Sequence, residues 1–222
     1  STPGNKHMSK RIGRLPILTA VLASTVAASA IAAPPTDLFF SEYLEGSSNN
    51  KAIEIYNGTG ADVNLTGYSV QLFANGSATA SQTLNLSGTL IDGDVYVIAN
   101  ASADAAILAQ ADTTHAVTFF NGDDALTLRN GTAIIDSIGQ VGTDPGTNWS
   151  GGGIATSEFT LVRKDTICAG DTVENDAFDP SIEWDGYPQN TTSFLGSHTA
   201  NCAAALPNLS IDDVSMAEGD GG

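Results

Sequence analysis

Short apolar segments with a period of two, separated by turn pairs of the Asn-Gly and Asp-Gly kind, leave this chain few folds to adopt. Ala52-Ile53-Glu54-Ile55-Tyr56 alternates as a half-buried strand does. The theme recurs at Tyr68–Phe73, Thr83–Leu86, Val95–Ile98, Ala125–Arg129, Ala133–Ile138 and Phe159–Val162, with Asp37–Leu44 leading. Asn57-Gly58, Asn75-Gly76, Asp92-Gly93, Asn121-Gly122 and Asn130-Gly131 stand in the connectors. Such pairs tolerate the positive φ that two-residue hairpins demand, and Asn130-Gly131 between Leu128 and Ile134 is the clearest hairpin. One stretch departs from the pattern: Ser102 is placed to cap a short helix over 103–111, as its Ala, Leu and Gln content allows. Many short strands at roughly ten-residue spacing predict an all-β sandwich or barrel with one short helix.

The ends carry different information. Ser1–His7 reads as a cloning remnant before a start at Met8 and takes no part in the fold reasoning. Residues 8–32 read as a signal peptide: Lys10, Arg11 and Arg14 form a basic head, and an apolar run follows from Leu15 to Ile31. Ala30-Ile31-Ala32 offers small side chains at both positions that a signal peptidase inspects, so cleavage is expected after Ala32, giving a secreted, extracellular chain. The run is shorter than the ~20 residues a bilayer-spanning helix needs, so no membrane association is expected after cleavage. In an oxidising compartment Cys168 and Cys202 are expected to form a disulfide. On the chain-entropy view it adds ~3–4 kcal/mol.

All 25 acids lie beyond residue 33 and only four bases do (Lys51, Arg129, Arg163 and Lys164), which sets a net charge of −21 there. Nucleic-acid affinity comes mainly from Lys and Arg displacing counterions, so direct nucleic-acid binding is not expected. Seven acids and no base fall between Asp165 and Asp185. Of these, Asp171, Asp176, Asp179 and Glu183 are the candidates for a Ca²⁺ site, since calcium takes several hard oxygens. The spacing is not that of an EF-hand, and no cofactor is required by anything else in the sequence.

Ser41-Glu42-Tyr43-Leu44-Glu45-Gly46-Ser47-Ser48-Asn49-Asn50-Lys51-Ala52-Ile53-Glu54-Ile55-Tyr56-Asn57-Gly58-Thr59 is more specific than strand and turn require. It resembles the opening of the bacterial lamin tail domain, an immunoglobulin-like β-sandwich. Asp92–Ala99, Phe120–Leu126, Asp136–Gly142, Thr160–Lys164, Phe178–Trp184 and Leu195–Thr199 fit the same family, so the resemblance runs over roughly residues 36–202. It implies an immunoglobulin-like domain at 33–205. Leu209–Asp220 resembles the first strand of a Calx-β domain, which makes 206–222 a linker and the start of a second module. The resemblance also implies a setting. Such domains commonly stand at the front of secreted multidomain proteins, many of them similar to metal-dependent extracellular nucleases or phosphatases. The implied role is a non-catalytic interaction or spacer module whose partners are downstream domains of the same chain and cell-surface or matrix components. The alternative is an adhesin-like or matrix module in a protein with no enzyme domain.

No nucleophile elbow, zinc-protease helix motif or phosphate loop is present. His115 and His198 are the histidines beyond residue 33, and neither has the companions that hydrolytic metal chemistry needs. Lys51 is expected to pair with Glu42 or Glu54 across adjacent strands. Trp184, beside Ile182, is expected to be buried. Trp149, inside a Gly-rich loop, is the better candidate for an exposed binding aromatic.

Overall fold

The computed structural model describes residues 34–202. The expected signal peptide at 8–32 and the expected second module at 206–222 lie outside the described residues. Fourteen strands and two four-residue helices make up the domain. The first half holds β1 (Phe39–Glu45), β2 (Lys51–Tyr56), β3 (Val63–Asn64), β4 (Tyr68–Phe73), β5 (Gln82–Asn85), β6 (Thr89–Leu90) and β7 (Val95–Ala99). Helix α1 (Ala105–Leu108) and β8 (Thr113–Thr114) precede the hairpin of β9 (Ala125–Asn130) and β10 (Ala133–Ile138). The chain closes with β11 (Ser150–Gly151), β12 (Ile154–Ala155), β13 (Phe159–Arg163), α2 (Pro180–Glu183) and β14 (Trp184–Pro188).

Two sheets face each other. One has six strands in the order β14-β13-β1-β2-β7-β8, and the other has four in the order β10-β9-β4-β5. Tyr43, Ile53, Ile98 and Leu161 of the first meet Val70, Leu72, Leu126 and Leu128 of the second in one core. Of the sandwich or barrel that alternation implied, this is the sandwich, of the immunoglobulin-like kind that the resemblance implied, each sheet offering every second side chain to the other. The expected hairpin is present: Asn130 pairs with Ala133, and Gly131 takes φ +60°.

The period of two misleads in one respect. A half-buried strand leaves its second face to water, yet every residue of β1 and β2 is buried. The outer face of the six-stranded sheet has its own apolar layer, where Phe39, Leu44, Tyr56 and Val97 pack with Ile107 of α1 and Leu195. The segment after β14 therefore returns across the sheet as a third layer. Glu42 and Glu54, which alternation assigns to a wet face, are enclosed by it.

The helix expected over 103–111 with Ser102 as its cap is shorter and capped elsewhere. It spans Ala105–Leu108 and starts after Asp104. The Ser102 N–H donates to Asn100 Oδ1 at 2.9 Å, which holds Ser102 in a turn. Asp112 then rejoins the sheet, its N–H donating to Val97 O at 2.9 Å and its carboxylate accepting from Val97 N at 2.8 Å.

Candidate functional site

The residues most specific to this sequence lie at the β1–β2 turn, and the structure uses them to bind the domain together. Glu45 and Lys51 face each other across the strands and form an ion pair. The second Glu45 oxygen accepts from Glu158 N at 2.6 Å. Lys51 thus pairs with Glu45, not with Glu42 or Glu54. Strand parity explains the correction. Lys51 and Glu45 point inward, with the ammonium 5.7 Å from the centre of the Phe120 ring, while Glu42 and Glu54 point outward.

The turn itself admits little change. Asn50 accepts from Asp104 N at 2.8 Å and donates to Asp104 Oδ2 at 2.8 Å and to Asn190 Oδ1 at 3.2 Å. A Cβ on Gly46 would lie 2.5 Å from both Asn190 Oδ1 and Asn50 O. Asn57 donates to Ala61 O and Leu90 O, both at 2.9 Å, and so fixes the following loop. Asp123-Asp124 also finds a structural use. Asp124 accepts from Asn75 N and Asn121 N at 2.8 Å each, closing the turn around Asn121-Gly122.

On the outer face Glu42 stands opposite Glu54, each with about 1% of its surface exposed. Ser41 Oγ donates to one Glu54 oxygen at 2.7 Å and Gly196 N to the other at 2.6 Å, which clamps the returning segment to the sheet. Neither oxygen of Glu42 has a hydrogen-bond partner among the described residues. Burial, with Glu54 opposite adding to it, pushes the Glu42 carboxyl up to about 9, so Glu42 carries a proton at neutral pH.

A second buried constellation joins the two sheets. Arg163 of β13 donates to Asp136 of β10 at 3.1 Å and to Ala169 O at 3.1 Å. Asp136 also accepts from Phe40 N and Asp171 N, both at 2.7 Å. The guanidinium lies 4.7 Å from the centre of the Trp184 ring. Trp184 is buried, as its apolar neighbour implied. Sequence reasoning passed over this pair. The signals for it were an acid inside an apolar strand, Ile134-Ile135-Asp136-Ser137-Ile138, and one of the few available cations.

The four calcium candidates line one cavity of about 250 Å³ with Phe178 and Ile182. Proximity does not make them a ligand set. Asp179 caps α2, accepting from Ser181 N at 2.9 Å and Ser181 Oγ at 2.7 Å, which holds its carboxyl below the usual range. Glu183 turns toward Arg163 at 3.3 Å, and Asp171 accepts from Val173 N at 2.9 Å. Among the described residues no group of three or more acids, histidines or cysteines is disposed to hold a metal ion. Asp171, Asp179 and Glu183 of the expected Ca²⁺ candidates are thus engaged in bonds within the domain, while Asp176 lines the same cavity.

Trp149 also departs from expectation. It is 7% exposed and packs with Phe73 and Ala125. A Cβ on Gly139, whose φ is +79°, would lie 2.7 Å from the Trp149 ring. The glycine nearby admits a bulky ring into the interior, and the Gly-rich context of the loop did not signal exposure.

His115 accepts from Val117 N at 3.1 Å and caps a single 3₁₀ turn. His198 sits edge-on to Phe39 and Tyr56, with ring centres 5.8 and 5.0 Å apart. Burial, with Arg163 nearby, pushes its imidazole down to about 4, so the ring is neutral at physiological pH. Cys168 and Cys202 are bonded, with Cα atoms 5.7 Å apart, tying the acidic segment to the end of the returning one.

A two-sheet sandwich whose distinctive polar residues hold its own turns and layers in place defines an immunoglobulin-like module. The model of the lamin tail domain family matches residues 31–142, and the chain belongs to that family. The match ends before β13 and β14, which complete the six-stranded sheet from outside the matched region. No curated protein matches the chain.

Proposed function

We propose that this chain is an interaction and spacer module at the front of a secreted multidomain protein, in which a metal-dependent nuclease or phosphatase-like hydrolase lies downstream. One observation carries the reading. Glu45, Asn50, Lys51, Glu54 and Asn57 each bond another part of the same domain, so architecture accounts for the most specific motif. The disulfide suits an oxidising compartment. The excess of 25 acids over four bases beyond residue 33 keeps a phosphate backbone at a distance. The module's partners are then downstream domains of its own polypeptide and components of a cell surface or matrix.

The test is to incubate the purified chain with plasmid DNA and with a chromogenic phosphate ester in the presence of Mg²⁺, Mn²⁺ or Ca²⁺. No turnover is expected, and no DNA binding at physiological salt. Cleavage that disappears in His198→Ala would overturn the reading. Sequence beyond Gly222 separates the hydrolase setting from the adhesin-like one, because only the first contains an enzyme domain.

A further inference from the structure

From Val63 to Ile91 no residue carries a charge, in a chain otherwise crowded with acids. The edge strand of the four-stranded sheet, β5, lies inside that stretch. Its pairing with β4 sets Asn85 opposite Ser69 and Leu84 opposite Val70. The Leu86 N–H donates to Tyr68 O at 2.9 Å, and antiparallel bonding alternates along the strand. The main-chain groups of Leu84 therefore face β4, while those of Thr83 and Asn85 face away from the sheet. Neither Thr83 nor Asn85 has a hydrogen bond on that side among the described residues, and both are exposed.

Proteins usually blunt such an edge with charge, proline, a bulge or a covering segment. The other edges here are treated in these ways. Along β10, Ser137 Oγ donates to Asp171 O at 3.1 Å, and just past the strand Val141 N donates to Glu174 O at 2.7 Å. Strand β8 has two residues, and β14 contains Asp185 and ends at Pro188. Among the described residues the edge at β5 has no charge, no proline and no segment hydrogen-bonded along it, although the 3₁₀ turn at Ala116–Thr118 lies close to the strand.

We propose that β5 is a self-association edge, which pairs antiparallel with β5 of a second copy of this chain. A two-fold axis at Leu84 sets Thr83 opposite Asn85 of the second copy and Asn85 opposite its Thr83. The outward groups of those two residues then form two reciprocal pairs of hydrogen bonds, and two four-stranded sheets become one of eight. Leu84, packed against the core from the sheet margin, meets its own counterpart. Charge selects this partner: two copies that repel each other elsewhere meet along the stretch where neither carries charge.

Sedimentation velocity on the 222-residue chain, from roughly 10 µM to roughly 500 µM, reads the weak affinity such a short strand can supply. A concentration-dependent shift from monomer to dimer is expected, with slowed amide exchange at Thr83 and Asn85 as the dimer forms. Thr83→Pro removes an outward donor and Thr83→Lys adds charge at the edge, and both leave the ladder to β4 intact. Each is expected to return the chain to monomer without lowering its urea midpoint. A monomer at every concentration overturns the proposal. So does association that survives both substitutions, which puts the interface elsewhere. Slowed exchange at Thr83 and Asn85 in a purely monomeric sample also overturns it, assigning the edge to another segment of the same chain.

Discussion

Replacing Glu42 with Gln is expected to stabilise the domain, by an amount that grows with pH. The buried carboxyl opposite Glu54 holds its proton up to about pH 9, whereas in the unfolded chain it ionises near 4.5. Between those values the folded state binds the extra proton, so stability falls as pH rises. Each pH unit in that interval is worth ~1.4 kcal/mol. At pH 7 the wild-type domain is therefore less stable, by roughly 3 kcal/mol, than it would be with a permanently neutral side chain at this position. Gln has nearly the shape of the protonated acid and no charge to lose. His198 acts with the opposite sign. Its folded value is lowered to about 4 from 6.5, so its contribution is present above 6.5 and is lost as pH falls toward 4. Between about 4.5 and 6.5 the His198 slope opposes that of Glu42, to which the raised carboxyl of Glu54 adds, and above 6.5 only the falling contribution remains. Urea denaturation at half-unit pH intervals, read by far-ultraviolet circular dichroism, measures both curves. The wild-type midpoint should fall above pH 6.5, and the gap to Glu42→Gln should widen by ~1–2 M urea between pH 5 and pH 8. A gap that stays constant from pH 5 to pH 9 would mean that Glu42 is already ionised in the folded domain, and refutes the reasoning.

Asp136→Asn should destabilise the domain by ~3–5 kcal/mol, because it removes the fully buried one of the two carboxylates on the Arg163 guanidinium and leaves only the partly exposed Glu183 beside it. In a double-mutant cycle, Arg163→Met should recover part of that loss, and strictly additive urea midpoints would argue against the pairing. Reducing the Cys168–Cys202 bond should cost ~3–4 kcal/mol, seen as a lower urea midpoint with reductant. Intact mass after alkylation without reductant should show no modified thiol. Gly46→Ala should cost ~1–3 kcal/mol, since its Cβ would meet Asn190 Oδ1 and Asn50 O at 2.5 Å, and an unchanged melting temperature would show that the turn can open to admit it.

What the sequence made legible and what it hid divide along a physical line. Alternation, turn pairs and the two cysteines report on local backbone and on a single long-range bond, and they placed eight of the fourteen strands, the β9–β10 hairpin and the disulfide, missing β14 and the five strands of two residues, which are too short to show a period. The partner of Lys51 was also within reach: Lys51 and Glu54 are an odd number of residues apart on one strand, so they cannot share a face. Other features depend on segments that meet only after folding. Trp149 enters the interior because Gly139 lacks a side chain, and Asp136 meets Arg163 because β10 and β13 lie in different sheets. The outer layer is the clearest case. A polar residue at an alternate strand position signals water only if no later segment covers that face, and here Leu195 and Gly196 return to β2 from more than 130 residues downstream. Their return encloses two carboxyls that would otherwise be solvated and raises the proton affinity of both. The falling limb of the pH curve is thus a measure of the third layer: if the returning segment were peeled from the sheet, Glu42 would ionise near its ordinary value and the limb would flatten.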